Sequence, residues 1–441
     1  MKTKSFPLLL CSLVALVSIM GQCRMHEIQH GTFTGQVDFS PVYIATKLML
    51  AGERASIYGN DPYGAHRDLK WMKEEQALPD GHYDTVFSYM PVYLIPILPF
   101  AYAFDYKSCV RVLTAINIAL AALLCGYLAL QNRFRFILQL LLAGLLAHAH
   151  VITETINLGQ NMLIAGAFIY LFLRAVDRNQ RGLAILFFLI VAVSKPWAFL
   201  FAGYALVRRD FKLVFYLGGS LGLLIAAQAL WDPALFAGYL EITLAHSKIA
   251  VLAHNNIAFT AGIHRLMLDD WISYVGWFDA GSTPFFLLPL KMSLAALAVL
   301  VGFLSPHRGV KTRSVMVAVF VMLNVFWDFY LILFLPFFMQ DLFPFSKKKI
   351  PLLLLGVASF FWRQIELYPF FHSYFYKYFA GGATGTIAAT QMLIPSLLVI
   401  WLYFSALRAA RENKHQNENE LGDDTPPTDS GNSANQAHAS G

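Results

Sequence analysis

Charge is what this chain has least of. Only 14% of its 441 residues are Asp, Glu, Lys or Arg, against about 25% in a soluble globular protein. With 57% hydrophobic residues and a mean hydropathy of +0.53, that shortage excludes a soluble enzyme, a disordered chain and a nucleic-acid-binding module. Cysteine is scarce too. Cys11, Cys23, Cys109 and Cys125 show no C-x-x-C spacing, so they imply neither a zinc site nor a disulfide framework. Nucleotide-binding and hydrolase signatures of the forms G-x-x-x-x-G-K-[ST], G-x-S-x-G and H-E-x-x-H are missing. No polar domain is large enough to hold a nucleotide, so an enzyme built this way draws on a lipid-borne activated substrate.

What the chain does have is apolar runs of membrane length. A helix needs about 20 apolar residues to cross the hydrocarbon core, and such runs lie near 86–104, 108–130, 135–151, 160–176, 183–207, 212–231, 284–304, 314–326, 328–345, 350–366 and 386–408. The order of segments follows from them. Residues 1–23 read as an uncleaved first transmembrane helix whose Lys2 and Lys4 hold the N-terminus in the cytoplasm. An external loop over 24–85 comes next, then a transmembrane module over 86–231 and an external segment over 232–282. C-terminal transmembrane helices over 283–408 precede a polar, disordered cytoplasmic tail over 409–441. The expected fold is all-α and polytopic, with about ten to thirteen transmembrane helices.

The basic clusters create a problem of parity. They lie at Lys107/Arg111, Arg133/Arg135, Arg174/Arg178/Arg181, Arg208/Arg209/Lys212, Arg308/Lys311/Arg313, Lys347–Lys349 and Arg408/Arg411. If all are cytoplasmic, the runs 108–130 and 183–207 must each enter and leave on one side. Two readings meet this. Either the runs are broken, re-entrant hairpins, the second turning at Lys195-Pro196, or the positive-inside bias fails at one loop.

Polar residues in such a chain are expensive and point to function. Asp38 lies in the first external loop, just ahead of a stretch from Tyr43 to Leu50 that reads as an amphipathic helix. An acid held at the membrane surface can act as a general base, although the loop holds eight other acids. Tyr89, Met90 and Pro91 open a run that Pro96 and Pro99 kink. His148, His150 and Glu154 lead into Asn157, Gln160 and Asn161. Their spacing does not align on one helical face as a metal site requires, and contact with a hydroxyl-rich ligand suits them better. Lys195 sits inside an apolar run, where it can snorkel, neutralise an acid or bind a phosphate. Arg265, behind Asn255 and Asn256 in the external segment, can clamp a phosphate bidentately. Asp328 and Lys291 are further charges within apolar runs.

The order D-F-x-x-x-Y (Asp38, Tyr43), G-x-x-x-x-x-Y (Gly52, Tyr58), Y-x-P (Tyr89, Pro91), G-Q-N (Gly159 to Asn161), K-P (Lys195), R-R (Arg208, Arg209) and N-N-x8-R (Asn256, Arg265) resembles the integral-membrane GT-C glycosyltransferases. The branch it most resembles is the bacterial polyprenyl-phosphate-sugar-dependent α-mannosyltransferases and arabinofuranosyltransferases, over residues 30 to 345. The resemblance implies a sugar moved from a polyprenyl-phosphate donor to a lipid or glycan acceptor at the outer face of a bacterial inner membrane. It implies Asp38 as general base, Lys195 and Arg265 on the donor phosphate, and an inverting displacement. Tyr43, Tyr58, Tyr89, Glu154, Gln160, Asn161, Asn256 and Asp328 are then expected around sugar and acceptor. Asp328 stands where that family often has a histidine, and an acid there does not help to hold a phosphate. The scheme needs no metal, no cofactor and no nucleic acid, and it leaves the oligomeric state open. A polar-lipid transporter explains the buried charges equally well but not the acid-bearing loop. A glycan ligase or polymerase leans on external Arg and His instead.

Overall fold

The computed structural model describes residues 5–30, 38–59, 68–78, 87–131, 134–247, 249–251, 258–259, 261, 277–279, 286–323, 326, 328–361 and 394–412. Among them the chain is an all-α, multi-pass membrane protein with one small exception. Ile249–Val251 and Trp277–Asp279 pair as a two-stranded antiparallel ladder in the segment expected to be external. The first half runs α1 (Ser5–His30), α2 (Ser40–Leu50), α3 (Leu69–Gln76), α4 (Leu98–Ala103), α5 (Tyr106–Leu130) and α6 (Phe136–Ala147). It continues through α7 (His150–Leu158), α8 (Met162–Asp177), α9 (Arg181–Ser194), α10 (Gly203–Val207), α11 (Phe211–Trp231) and α12 (Pro233–Ser247). Later helices span Leu287–Leu304, Arg308–Met322, Leu335–Leu342, Ile350–Phe360 and Ile394–Glu412.

Five of the described helices are individually long and apolar enough to cross a bilayer, and α6 with α7 forms a sixth span bent by 48°. The apolar runs had suggested ten to thirteen. Among the described residues, part of the difference lies in helices shorter than a full crossing, such as α8 with 16 residues, and part in chain breaks that hydropathy does not register. Pro91, Pro96 and Pro99 divide the run 86–104 into the short helices Pro91–Leu94 and Leu98–Ala103, because proline removes a backbone donor and clashes with the preceding turn. The run 328–345 divides likewise at Asp328–Leu333 and Leu335–Leu342.

Helix α1 shows how the bundle is made. Its small residues Cys11, Ser12 and Ala15 are buried, with Ile19, while Phe6, Leu9, Leu13 and Val17 face outward. This is the pattern of a membrane bundle. Lipid satisfies large apolar groups as well as a neighbour does, and small ones let backbones approach. On α5, a Cβ added at Gly126 would sit 2.4 Å from Ser12 Oγ and 2.8 Å from its backbone nitrogen. Gly126→Ala is therefore expected to destabilise the α1–α5 contact by about 1–3 kcal/mol. A fall in the thermal midpoint of the detergent-solubilised protein would register it, and an unchanged midpoint would refute the close approach. On α11, Phe215 is 76% exposed, Leu223 74% and Leu230 83%. A surface so apolar belongs in lipid.

The structure resolves the parity problem differently at its two sites. The run 108–130 is one continuous helix, α5, of 25 residues. Its N-terminal end, with Lys107 and Arg111, lies beside Phe39 and Tyr43, since Tyr106 packs edge-on to Tyr43 at 5.2 Å. The re-entrant reading of 108–130 is thus excluded, and the basic clusters do not all lie on one side. The run 183–207 is a hairpin. Arg181, which starts α9, pairs with Asp210 at 3.1 Å. Asp177, at the end of α8, meets Arg208 at 3.6 Å, Arg308 at 2.5 Å and the Tyr204 hydroxyl at 2.8 Å. Both ends of the hairpin therefore lie on one basic face, and the chain turns at Lys195-Pro196. The 14 residues of α9 carry that turn about 21 Å inward at 1.5 Å per residue. Lys311 and Arg313 are buried, not surface markers of topology. Lys311 donates to Val207 O at 2.9 Å, and Arg313 forms a bidentate pair with Asp341 at 2.7 Å.

Candidate functional site

Asp38 precedes α2, which starts at Ser40, three residues before the expected Tyr43, with Pro41 in its first turn. Proline suits that position because its missing N–H would find no partner there. The helix is not a surface amphipath. All of Ser40–Thr46 is buried, as is Leu48, so α2 is wedged into the bundle and fixes Asp38. The Asp38 backbone N–H donates to Leu158 O at 2.8 Å, tying the loop to the end of α7. Gly159 closes α7 in the left-handed region, at φ +73°. The next residue, Gln160, donates its backbone N–H to Thr155 O at 2.9 Å. A side chain at position 159 would cost about 1–2 kcal/mol. Gly159→Ala is accordingly expected to lower the thermal midpoint and disturb the turn at once, whereas retention of full stability would refute that strain.

Beyond that turn three polar side chains converge. Gln160 Nε2 donates to Asp38 Oδ2 at 2.5 Å, and Lys195 Nζ donates to Gln160 Oε1 at 3.0 Å. The amide is oriented by its neighbours, with nitrogen toward the carboxylate and oxygen toward the ammonium. Lys195 comes from the tip of the hairpin. It is buried, and its Nζ lies over the rings of Tyr89 at 5.6 Å and Tyr330 at 5.4 Å. Two aromatic faces stabilise a desolvated cation. Burial raises the Asp38 carboxyl to about 6. The Gln160 hydrogen bond and the Lys195 charge pull it down, and Glu154 pushes it up. At neutral pH the group is therefore mostly ionised, yet more basic than an ordinary carboxylate.

A cavity of about 160 Å³ adjoins Asp38. A comparable cavity of about 150 Å³ admits one six-membered ring. Asp38, Tyr89, Tyr93 and Asn161 give its wall polar points, and Phe100 and Ile116 belong to its apolar side. Asn161 Nδ2 donates to the Tyr93 hydroxyl at 3.0 Å. Its Oδ1 is buried with no hydrogen-bond partner among the described residues, so it can accept from a ligand hydroxyl.

Other expected residues fall elsewhere. Tyr43 packs on Tyr106 and on Phe39, which borders the cavity, but is not itself part of the cavity wall. Tyr58 supports the wall from behind, donating its hydroxyl to Tyr89 O at 2.6 Å. Glu154 is half-buried on α7 and acts on Asp38 through its charge. His148 is exposed and His150 buried. Arg208 and Arg209 belong to the basic face, where Arg209 stacks over Phe303 at 4.8 Å. Asn256, Arg265 and the Asp328 side chain lie outside the described residues.

Three residues at the site had not been read from the sequence. Tyr93 was legible as a second tyrosine one helical turn after Tyr89. Tyr330 follows Asp328 by two residues and carries the aromatic face that Lys195 uses. Asn117 is the sole Asn or Gln within α5.

The model of glycosyltransferase family 87 matches residues 87–336, more than half of the chain. The match takes in Tyr89, Gln160, Asn161 and Lys195 and begins after Asp38. No curated protein and no solved structure matches the chain.

Proposed function

We propose a reaction for this chain, which belongs to glycosyltransferase family 87: it moves a hexose or pentose from a polyprenyl-phosphate donor to a hydroxyl of a lipid or glycan acceptor. The observation that carries the reading is the Asp38 carboxylate at the wall of a ring-sized cavity, bridged by Gln160 to a buried ammonium. The acceptor hydroxyl loses its proton to Asp38 and attacks the anomeric carbon from the face opposite the phosphate. The bond from that carbon to the phosphate oxygen breaks, the prenyl phosphate departs with the electron pair, and the configuration inverts. Lys195 spends one of its three N–H groups on Gln160, which leaves donors for the departing phosphate. Arg265 is the second phosphate ligand in this reading. Tyr89, Gln160 and Asn161 contact the sugars in this reading, together with Asn256 and Asp328. An electrostatic hold on the leaving group is strong because the site is poor in water. The membrane is a bacterial inner membrane, with the site on its outer side.

The test is sugar transfer in membranes that contain the wild-type chain or Asp38→Asn at equal amounts. The donors are labelled polyprenyl-phosphate mannose, glucose and arabinofuranose. One donor is expected to be consumed by the wild type, with label appearing in a glycolipid or glycan, and to be spared by Asp38→Asn. Transfer that survives the substitution would remove Asp38 from its role.

A further inference from the structure

Asn117 sits in the middle of α5, whose next turn outward, at Leu113 and Ile116, borders the cavity. It is fully buried. Its Nδ2 donates to Gln160 O at 2.9 Å, and its Oδ1 has no hydrogen-bond partner among the described residues. A primary amide inside a membrane bundle with half its valence unmet is unfavourable, and a leucine of similar volume would avoid the penalty. The bond it makes lands on the backbone of the residue whose side chain bridges Asp38 and Lys195.

We infer that Asn117 is a positioning residue for sugar transfer, holding the 158–161 turn so that Gln160 keeps its amide nitrogen on the base. The inference rests on Asp38 being that base. Four ties hold the turn: the Asp38 backbone N–H on Leu158 O, Asn161 on the Tyr93 hydroxyl and on Ser194 O at the end of α9, and Asn117 on Gln160 O. Of these, only Asn117 comes from a helix long enough to cross the bilayer by itself, so it sets the depth of the turn in the bundle. With that tie removed, the Gln160 side chain is free to follow its backbone away from Asp38. The carboxylate then loses a donor that lowers its proton affinity. The other groups acting on Asp38 come from elsewhere. Lys195 is on the hairpin tip, Glu154 is on α7, and the rings of Tyr89 and Tyr330 lie over Lys195.

The test compares Asn117→Leu, Gln160→Leu and the double variant, full-length in lipid nanodiscs, with polyprenyl-phosphate mannose or arabinofuranose as donor. The titration of Asp38 is followed separately by infrared spectroscopy of its carboxyl group, identified by its loss in Asp38→Asn. Asn117→Leu is expected to transfer sugar about tenfold more slowly, the worth of one hydrogen bond to a charged group. Its acceptor KM stays within about twofold of wild type, and its Asp38 titration moves to higher pH. The double variant is no slower than Gln160→Leu, because residues acting through one contact are not additive. Additive losses, or a slower rate with the titration unmoved, would overturn the inference. Should Asn117→Leu fail to accumulate, Asn117→Ser is read by the same criteria. The infrared arm needs no turnover. A protein that transfers sugar without Asp38 would sink the proposed base, while the titration still decides whether Asn117 holds the turn.

Discussion

Asp38→Asn transfers sugar about 10²–10⁴ times more slowly than wild type, the usual worth of a positioned general base. The substitution keeps the shape of the side chain and a partner for Gln160, and it removes only the ability to take a proton. The pH profile supplies an independent check. Asp38 titrates at about 6 because burial outweighs the Gln160 hydrogen bond and the Lys195 charge. The active form is the carboxylate. The rate as kcat/KM should therefore be level above pH 7 and fall as pH drops through 6, reaching about a tenth of its plateau near pH 5. Lys195→Met removes a charge that favours the ionised form, so its limb should move to higher pH, and the donor should bind more weakly as well. A limb that stays near 6 in Lys195→Met would show that the lysine does not act on the base. A flat profile from pH 5 to 8 in the wild type would count against Asp38 altogether.

Arg313→Met is expected to be the most damaging substitution away from the site. Arg313, on the Arg308–Met322 helix, makes a bidentate pair with Asp341 at 2.7 Å and donates to Leu402 O at 2.7 Å. Its guanidinium lies 5.3 Å from the centre of the Phe337 ring. Three helices that are far apart in the chain meet on this one side chain. Removing the arginine leaves the partly buried Asp341 carboxylate without its counter-charge, which costs up to about 3–5 kcal/mol. Arg313→Met combined with Asp341→Leu should recover much of that loss, because two apolar residues leave nothing unpaired. Thermal midpoints of the three proteins in detergent measure both effects. Transfer per folded molecule should stay near wild type in all of them, since the pair stands with the basic cluster and not at the cavity. If the single variant is as stable as wild type, the pair does not hold these helices together.

The sequence disclosed the class of the molecule because lipid rewards long apolar runs and those runs are visible as such. It disclosed less of the spans. The runs at 86–104 and 328–345 look like crossings by composition, but three prolines break the first, and the second folds as two short pieces. Charge rightly grouped Arg181, Arg208 and Arg308 on one face, where they close on Asp177 and Asp210. Lys107 and Arg111 do not join that face, because Tyr106 packs on Tyr43 beside the Asp38 loop. At the site, Asp38 and Gln160 are separated by 122 residues, and Gln160 and Lys195 by 35. No spacing rule joins them, and only the polar character of each in an apolar setting pointed there. Asn117 bore the same mark, an amide within an otherwise apolar helix. Its meaning depends on a backbone carbonyl whose position the sequence does not state.

The hairpin at Lys195-Pro196 has a consequence for any experiment that labels the protein from outside. A segment that begins and ends on one face adds an even number of passages, so the loops before and after it share a compartment. A single cysteine at Asn179 and one at Lys212, both exposed, should react with a membrane-impermeant thiol reagent from the same side of sealed vesicles. A cysteine at Gln76, exposed in the segment that packs beside α2, should react only from the opposite side. The engineered thiols also need no removal of Cys11, Cys109 or Cys125, which are buried. Only the half-buried Cys23 requires replacement before the reagent reports on one position at a time.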